Sequence, residues 1–182
     1  MRFERIFEDL EGQFAHHEQQ EMRAVSEDLT RAERAQLSLM DRIRGSEGTA
    51  ITVHLAGAGR IRGHVLEVGE GWVLLRETPG SGMVLIPRGR IALVEGLSGR
   101  ARPVQESRLG EVSLGAMLRR IARDRSTVRM DTTAGSLIGR IAAVGADALD
   151  LHTLPTGESS VVPGSGRVVV MLEALISLRT VG

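Results

Sequence analysis

The stretch GRIRGHVLEVGEGWVLLR, Gly59 to Arg76, returns later in the chain as GSLIGRIAAVGADALDLH, Gly135 to His152. With Gly59 set over Gly135, Gly63 falls on Gly139, Val68 on Val144, Gly69 on Gly145 and Leu75 on Leu151. Upstream, TVHL matches TVRM once the second turn is given one more residue. Downstream, VLIPRGRIALV parallels VVMLEALISLR, with a longer loop in the second copy from about Thr153 to Gly166. Helical patterns precede the copies, RAERAQLSLMDRIR before the first and EVSLGAMLRRIARDR before the second. A pattern written twice at this length restricts the chain to two similar supersecondary units. Each reads as a helix followed by about five short strands.

Alternation assigns the strand faces. Ile61, Gly63 and Val65 share one face of the second strand, and Leu137, Gly139 and Ile141 do so in the second copy. In the third strand Val73 and Leu75 point inward, matched by Leu149 and Leu151. A glycine on an inward face marks a sharp bend of the kind that closes a small barrel, because a side chain there would strike the far wall. VGEG and VGAD form the turns that follow, with Gly69 and Gly145 free to take positive φ. Between the fourth and fifth strands PRGR and LEA leave room for a single 3₁₀ turn. The fourth strands, Met83–Ile86 and Val168–Met171, are apolar on both faces. Such a strand is buried on both sides, or its edge pairs with another barrel. Pairing of the two copies is one solution, and self-association is the other.

Helix, five bent strands, a glycine in the second strand and a short turn before the fifth together resemble the Sm-like small β-barrel, carried here by GHVLEVGEGWVLL and GRIAAVGADALDL. The N-terminal RIFEDLEGQF followed by tandem barrels also resembles an uncharacterised actinobacterial family with an N-terminal helical arm. The resemblance implies a mainly β fold with some α structure: a long N-terminal helix, in one piece or broken near Thr30, then two Sm-like five-stranded barrels, each preceded by a helix. The corresponding boundaries are 1–32 for the arm, 33–97 for the first barrel with its helix, 98–110 for a linker and 111–182 for the second. The resemblance also implies oligomeric rings that bind RNA. The uridine-reading residues of that family are replaced, however. Glu70-Gly71-Trp72 stands at the first motif in copy one, and Asp147-Ala148 in copy two. Arg88-Gly89 matches the second motif, whereas copy two has Glu173-Ala174.

Composition narrows the chemistry. Hydrophobic residues make up 42% of the chain, enough for a core, but the aromatics are only Phe3, Phe7, Phe14 and Trp72, so the core is aliphatic. With no cysteine, disulfides, thiolate catalysis and Cys-ligated zinc are excluded. No apolar run approaches the ~20 residues that cross a bilayer, and MRFERIFEDLE is too acidic for a secretory signal, so a cytoplasmic location is expected. All 23 basic residues are arginine, and the net charge is zero. Arginines 100, 102, 108, 119, 120, 123, 125 and 129 concentrate in one segment, opposite in sign to the acidic N-terminal region. Such asymmetry marks either a nucleic-acid surface or an internal docking of acidic on basic segments.

The arm places Phe3, Ile6, Phe7, Leu10 and Phe14 at helical spacing, and Thr30 with Glu33 reads as a capping box. Its acidic polar face disfavours membrane binding. His16, His17 and Glu21 do not make a metal site, since adjacent helical histidines point about 100° apart. GAGRIRG from Gly57 precedes a strand rather than the helix a dinucleotide loop requires. No nucleophile elbow or pair of catalytic carboxylates is present, so no catalytic site, cofactor or metal is expected. Phe3, Phe7, Leu10, Phe14, Trp72 and Leu74 are the candidate protein interface; Trp72 and Leu74 alternate with the inward pair and therefore point outward, where a neighbouring element must cover them. The expected function is a non-catalytic protein-interaction or assembly module whose partner is another protein or a second copy. The second reading is a non-classical RNA- or DNA-binding protein using Arg88, Arg119, Arg120, Arg123 and Arg125.

Overall fold

Ten strands form one antiparallel sheet, and a single strand pairing joins its first five strands to its last five. The computed structural model describes residues 35–57, 59–103, 112–154 and 166–181. The chain divides into Met1–Ser38 and Leu39–Gly182, and every element below belongs to the second unit. The arm expected over 1–32, with Phe3, Phe7, Leu10, Phe14 and the break near Thr30, lies outside the described residues, as does most of the expected linker.

In chain order the elements are helix α1 (Leu39–Arg44) and strands β1 (Ala50–Leu55), β2 (Arg60–Gly69), β3 (Trp72–Glu77), β4 (Met83–Pro87) and β5 (Ile91–Glu95). Helix α2 (Leu114–Arg123) follows, then β6 (Thr127–Thr132), β7 (Gly135–Val144), β8 (Ala148–Thr153), β9 (Arg167–Met171) and β10 (Leu175–Thr180). Single 3₁₀ turns, Arg88–Arg90 and Leu172–Ala174, link β4 to β5 and β9 to β10, as PRGR and LEA predict. The spatial order is β5-β1-β2-β3-β4-β10-β6-β7-β8-β9.

Two separate Sm-like barrels, each led by a helix, are therefore not what forms. The β4–β10 ladder, with Leu85 opposite Leu178 and Val84 opposite Arg179, makes the ten strands continuous. Nor does a long helix stand among the described residues, where α1 has six residues and α2 ten. The physical reason lies in β4. Its apolar residues on both faces need cover, the wall beside them carries Trp72 and Leu74, and β10 closes over them, leaving Val84, Leu85 and Ile86 buried.

Two apolar cores lie along this sheet. Ile43, Ile51, Val53, Val65, Val73, Leu75, Val84 and Ile86 form one, and Leu118, Val128, Met130, Leu149, Leu151, Leu175 and Leu178 form the other. They exchange residues: Trp72 and Leu85 of the first strand set lie in the second core, and Ile176 of β10 lies in the first. Exchange of this kind makes each core incomplete without the other.

The inward faces agree with alternation. Ile61, Gly63 and Val65 are buried, as are Val73 and Leu75. β2 pairs with β1 along its first part and with β3 along its second, and the register slips between Val65 and Glu67; β7 slips likewise between Ile141 and Ala143. A bulge bends the strand it interrupts. Gly63 and Gly139 sit just before these bulges, but the obstacle a side chain would meet is the neighbouring strand. A Cβ at Gly63 would fall on the Arg76 carbonyl, and one at Gly139 on that of His152. Gly69 does not take positive φ; Gly71 does, at 79°. Gly69 instead clears space for the Trp72 ring, which a Cβ there would overlap.

Candidate functional site

The chemistry of this chain concentrates at the seam between β4 and β10 and at the two ends of the sheet. At the seam, three fasteners converge. The first is apolar: Leu85 and Leu178 face each other across the ladder, 1% and 2% exposed. The second is the indole of Trp72, fully buried, whose Nε1–H donates to the Val112 carbonyl at 2.7 Å. The same carbonyl accepts the Glu70 backbone N–H at 3.0 Å, so both of its lone pairs are used. Because Val112 immediately precedes Ser113, the N-cap of α2, these bonds hold the start of that helix against the β2–β3 turn.

The third fastener is ionic. Arg179 of β10 reaches Glu77 of β3 with Nε at 2.9 Å and Nη2 at 3.2 Å, a bidentate fork. Its Nη1 donates to Asp131 of β6 at 2.6 Å and to the Ser177 hydroxyl at 2.9 Å. Asp131 also accepts from Ser136 at 2.6 Å and Ser177 at 2.8 Å. Burial alone pushes the Asp131 carboxyl up, but hydrogen bonds from the Ser136 and Ser177 hydroxyls, the Arg179 charge and a hydrogen bond from Arg129 outweigh it and hold the group below the ordinary aspartate value. For Arg179 burial acts downward, and Glu77 and Asp131 reverse it, so the guanidinium stays charged. A carboxylate so fully engaged is a structural anchor rather than a proton-transfer group.

Trp72 and Leu74 thus occupy an internal seam. Trp72 is covered, as expected, and the cover is the second half of the same chain. Leu74 is half-buried and lines a cavity of about 290 Å³ with Leu85, Met117, Ile121, Leu178 and Arg120. Phe3, Phe7, Leu10 and Phe14 lie outside the described residues, as do His16, His17 and Glu21.

The five candidate nucleic-acid arginines are all exposed. Leu118 is buried, while Ile121 and Ala122 pack partly buried against the second core, which turns Arg119, Arg120 and Arg123 toward solvent. Arg125 follows the helix at φ 51°, the left-handed conformation that ends many helices. Arg88 sits on the first 3₁₀ turn, its backbone N–H donating to Gly71. No ion pair to a described residue engages any of the five. They line no common pocket among those seen: Arg120 alone enters the seam cavity, beside Glu67 and Asp124.

Of the two ends of the sheet, the sequence singled out β9, through Val168–Met171, and not β5. Among the described residues β5 pairs only with β1, and β9 only with β8. Leu93 on β5 is 51% exposed, and Val169 and Met171 on β9 are 68% and 41% exposed. The apolar run Val168–Met171 was the available signal for β9; for β5 it was the run Ile91–Val94, in which Leu93 stands between Ala92 and Val94. No helix among the described residues is long and apolar enough to cross a membrane. Comparison with protein-family models, curated proteins and solved structures finds no match to this chain.

Proposed function

We propose that this chain, built on a duplicated five-strand unit, is a non-catalytic, cytoplasmic protein-interaction or assembly module that works through the ends of its sheet. The observation that carries the reading is the placement of exposed apolar residues on the two end strands, at Leu93, Val169 and Met171. An end strand offers a row of unpaired backbone groups, and outward apolar side chains beside it supply the area that makes strand addition favourable. The wall around Trp72 is already filled by the chain itself, so it supports internal assembly rather than capture of a partner.

The test is retention of partner proteins on immobilised full chain, comparing wild type with Leu93→Lys and Val169→Lys. Both sites are exposed, so the substitutions leave the cores intact. At least one variant is expected to lose what the wild type retains. If both variants retain the same proteins at the same level, the reading fails.

Five exposed arginines free of ion pairs with described residues favour the second reading, binding of nucleic acid by the α2 face. Retention of a mixed single-stranded RNA pool at rising salt separates the two, because each phosphate neutralised adds a salt-sensitive term. The assembly reading expects negligible retention even at low salt; a steep salt slope abolished by Arg119→Ala with Arg123→Ala would replace it.

A further inference from the structure

The seam inside the molecule has a counterpart at its outer ends. β4 and β9 are both five-residue strands that enter a 3₁₀ turn, and β5 and β10 both leave one. By position along these strands Leu85 corresponds to Val169, Val84 to Val168, Leu178 to Val94 and Arg179 to Glu95. Inside the chain the β4 type pairs with the β10 type. Among the described residues, one strand of each type at the ends of the sheet is left without that partner: β9 and β5.

Exposure follows the missing partner. Leu85 is 1% exposed and Val169 68%; Ser177 of β10 is 1% exposed and the matching Leu93 51%. Val169 lacks the cover that the internal seam gives Leu85, and Leu93 stands exposed where Ser177 is held by Asp131 and Arg179.

From this we infer that β9 of one copy adds to β5 of a second copy, head to tail, in the register of the β4–β10 ladder, with Val94 opposite Val169 and Glu95 opposite Val168. This names the partner for the assembly reading and rests on it. The ends carry opposite charges: β9 begins at the exposed Arg167, held by Asp150 in its own copy, and β5 ends at Glu95, whose exposed carboxylate meets His54 at 2.9 Å. The joint is heterologous, so each copy keeps one free end after pairing, and growth passes beyond two copies into a ring or a filament. It is weaker than the internal seam. The wall behind β9 carries Ala148 and Asp150 where β3 carries Trp72 and Leu74, and Asp150 is paired with Arg167 at 3.0 Å. Association is therefore reversible and dependent on concentration.

Sedimentation velocity of the full chain, from the low to the high micromolar range, tests this with two variants and their mixture. The wild type is expected to shift from monomer to dimer and larger species. Val169→Lys blocks one end and Leu93→Lys the other, so each alone stays monomeric. Mixed in equal amounts, they retain one good β9 and one good β5 between them and form a dimer that grows no further. A wild type that stays monomeric throughout overturns the proposal, as does a mixture that stays monomeric. Continued association of Leu93→Lys alone, with Val169→Lys monomeric, shows β9 pairing with β9 and also overturns it. Association of both variants at wild-type strength places the contact elsewhere and overturns it too. Should self-association fail while retention of other proteins still depends on Leu93 or Val169, the assembly reading stands without this partner; if that dependence is also absent, both fall.

Discussion

β4 and β9 have nearly the same pattern and opposite fates. Both are apolar on two faces and both run into a 3₁₀ turn, yet β4 is buried along four of its five positions while β9 is buried at one. Likewise β10 is buried at its first four positions and β5 at none. Nothing within the strands accounts for the difference; the wall beside them does. β3 presents an indole and a leucine, Trp72 and Leu74, where β8 presents Ala148 and Asp150. The indole alone removes on the order of 200 Å² from water and supplies an N–H for Val112, so the β4 side closes within the molecule. A two-faced apolar strand thus specifies that it needs cover, and the residues behind it decide whether the cover comes from the same chain.

That contrast can be broken most severely at Trp72. Trp72→Ala is expected to cost about 3–5 kcal/mol and to leave one lone pair of the Val112 carbonyl unused, read as a lowered midpoint in guanidinium unfolding. In the intact protein the single indole reports the same burial, with blue-shifted emission that moves red only as the seam opens.

Paired truncations sharpen the contrast. Leu85→Ala is expected to cost about 2–5 kcal/mol because it empties a filled site. The matching Val169→Ala on the open end stays within about 0.5 kcal/mol in the monomer. Equal losses at the two positions would mean that β9 is covered as well as β4.

A smaller asymmetry belongs to the turns. Gly69→Ala drives a methyl into the Trp72 ring and is expected to cost about 1–3 kcal/mol as overpacking. Gly145→Ala meets only the Ala148 carbonyl at 3.2 Å, which needs a shift of tenths of an ångström, so its cost is lower. Thermal unfolding of the two variants gives the comparison directly.

The smallest effect is in acid. Asp131 has a folded pKa below its ordinary value, so its contribution is complete above about pH 4, the unfolded carboxylate range, and is lost as pH falls through the lower folded value. Asp131→Asn is expected to flatten the stability profile below about pH 4 relative to wild type. An unchanged acid slope would remove Asp131 from the seam.

Much of the local structure was legible because it depends on neighbours two residues apart. The buried faces of β2 and β3 and both 3₁₀ turns follow from alternation and from the shortness of PRGR and LEA. Gly63 and Gly139 were identified as bend positions, although the close approach is to the adjacent strand. Positive φ was misplaced on Gly69 and Gly145; at the first of these nothing local shows that the Trp72 ring lies over it and that Gly71 makes the turn. The β4–β10 ladder was legible only as one of two options, because residues so far apart in the chain share no local period. For the same reason the carboxylates of Glu77 and Asp131 could not be seen to meet at Arg179. The open ends were half legible: Val168–Met171 reads as a strand lacking cover, whereas Leu93 becomes conspicuous only once β5 is at the end of a sheet.

Hydrogen exchange, followed amide by amide at two protein concentrations, separates one continuous sheet from two. If the ten strands are one sheet, β4 and β10 are protected as strongly as β2 and β3 at both concentrations, while the outward amides of β5 and β9 exchange quickly when dilute and slow down when concentrated. Fast exchange along β4 and β10 would contradict it, because the ten strands would then not be one sheet.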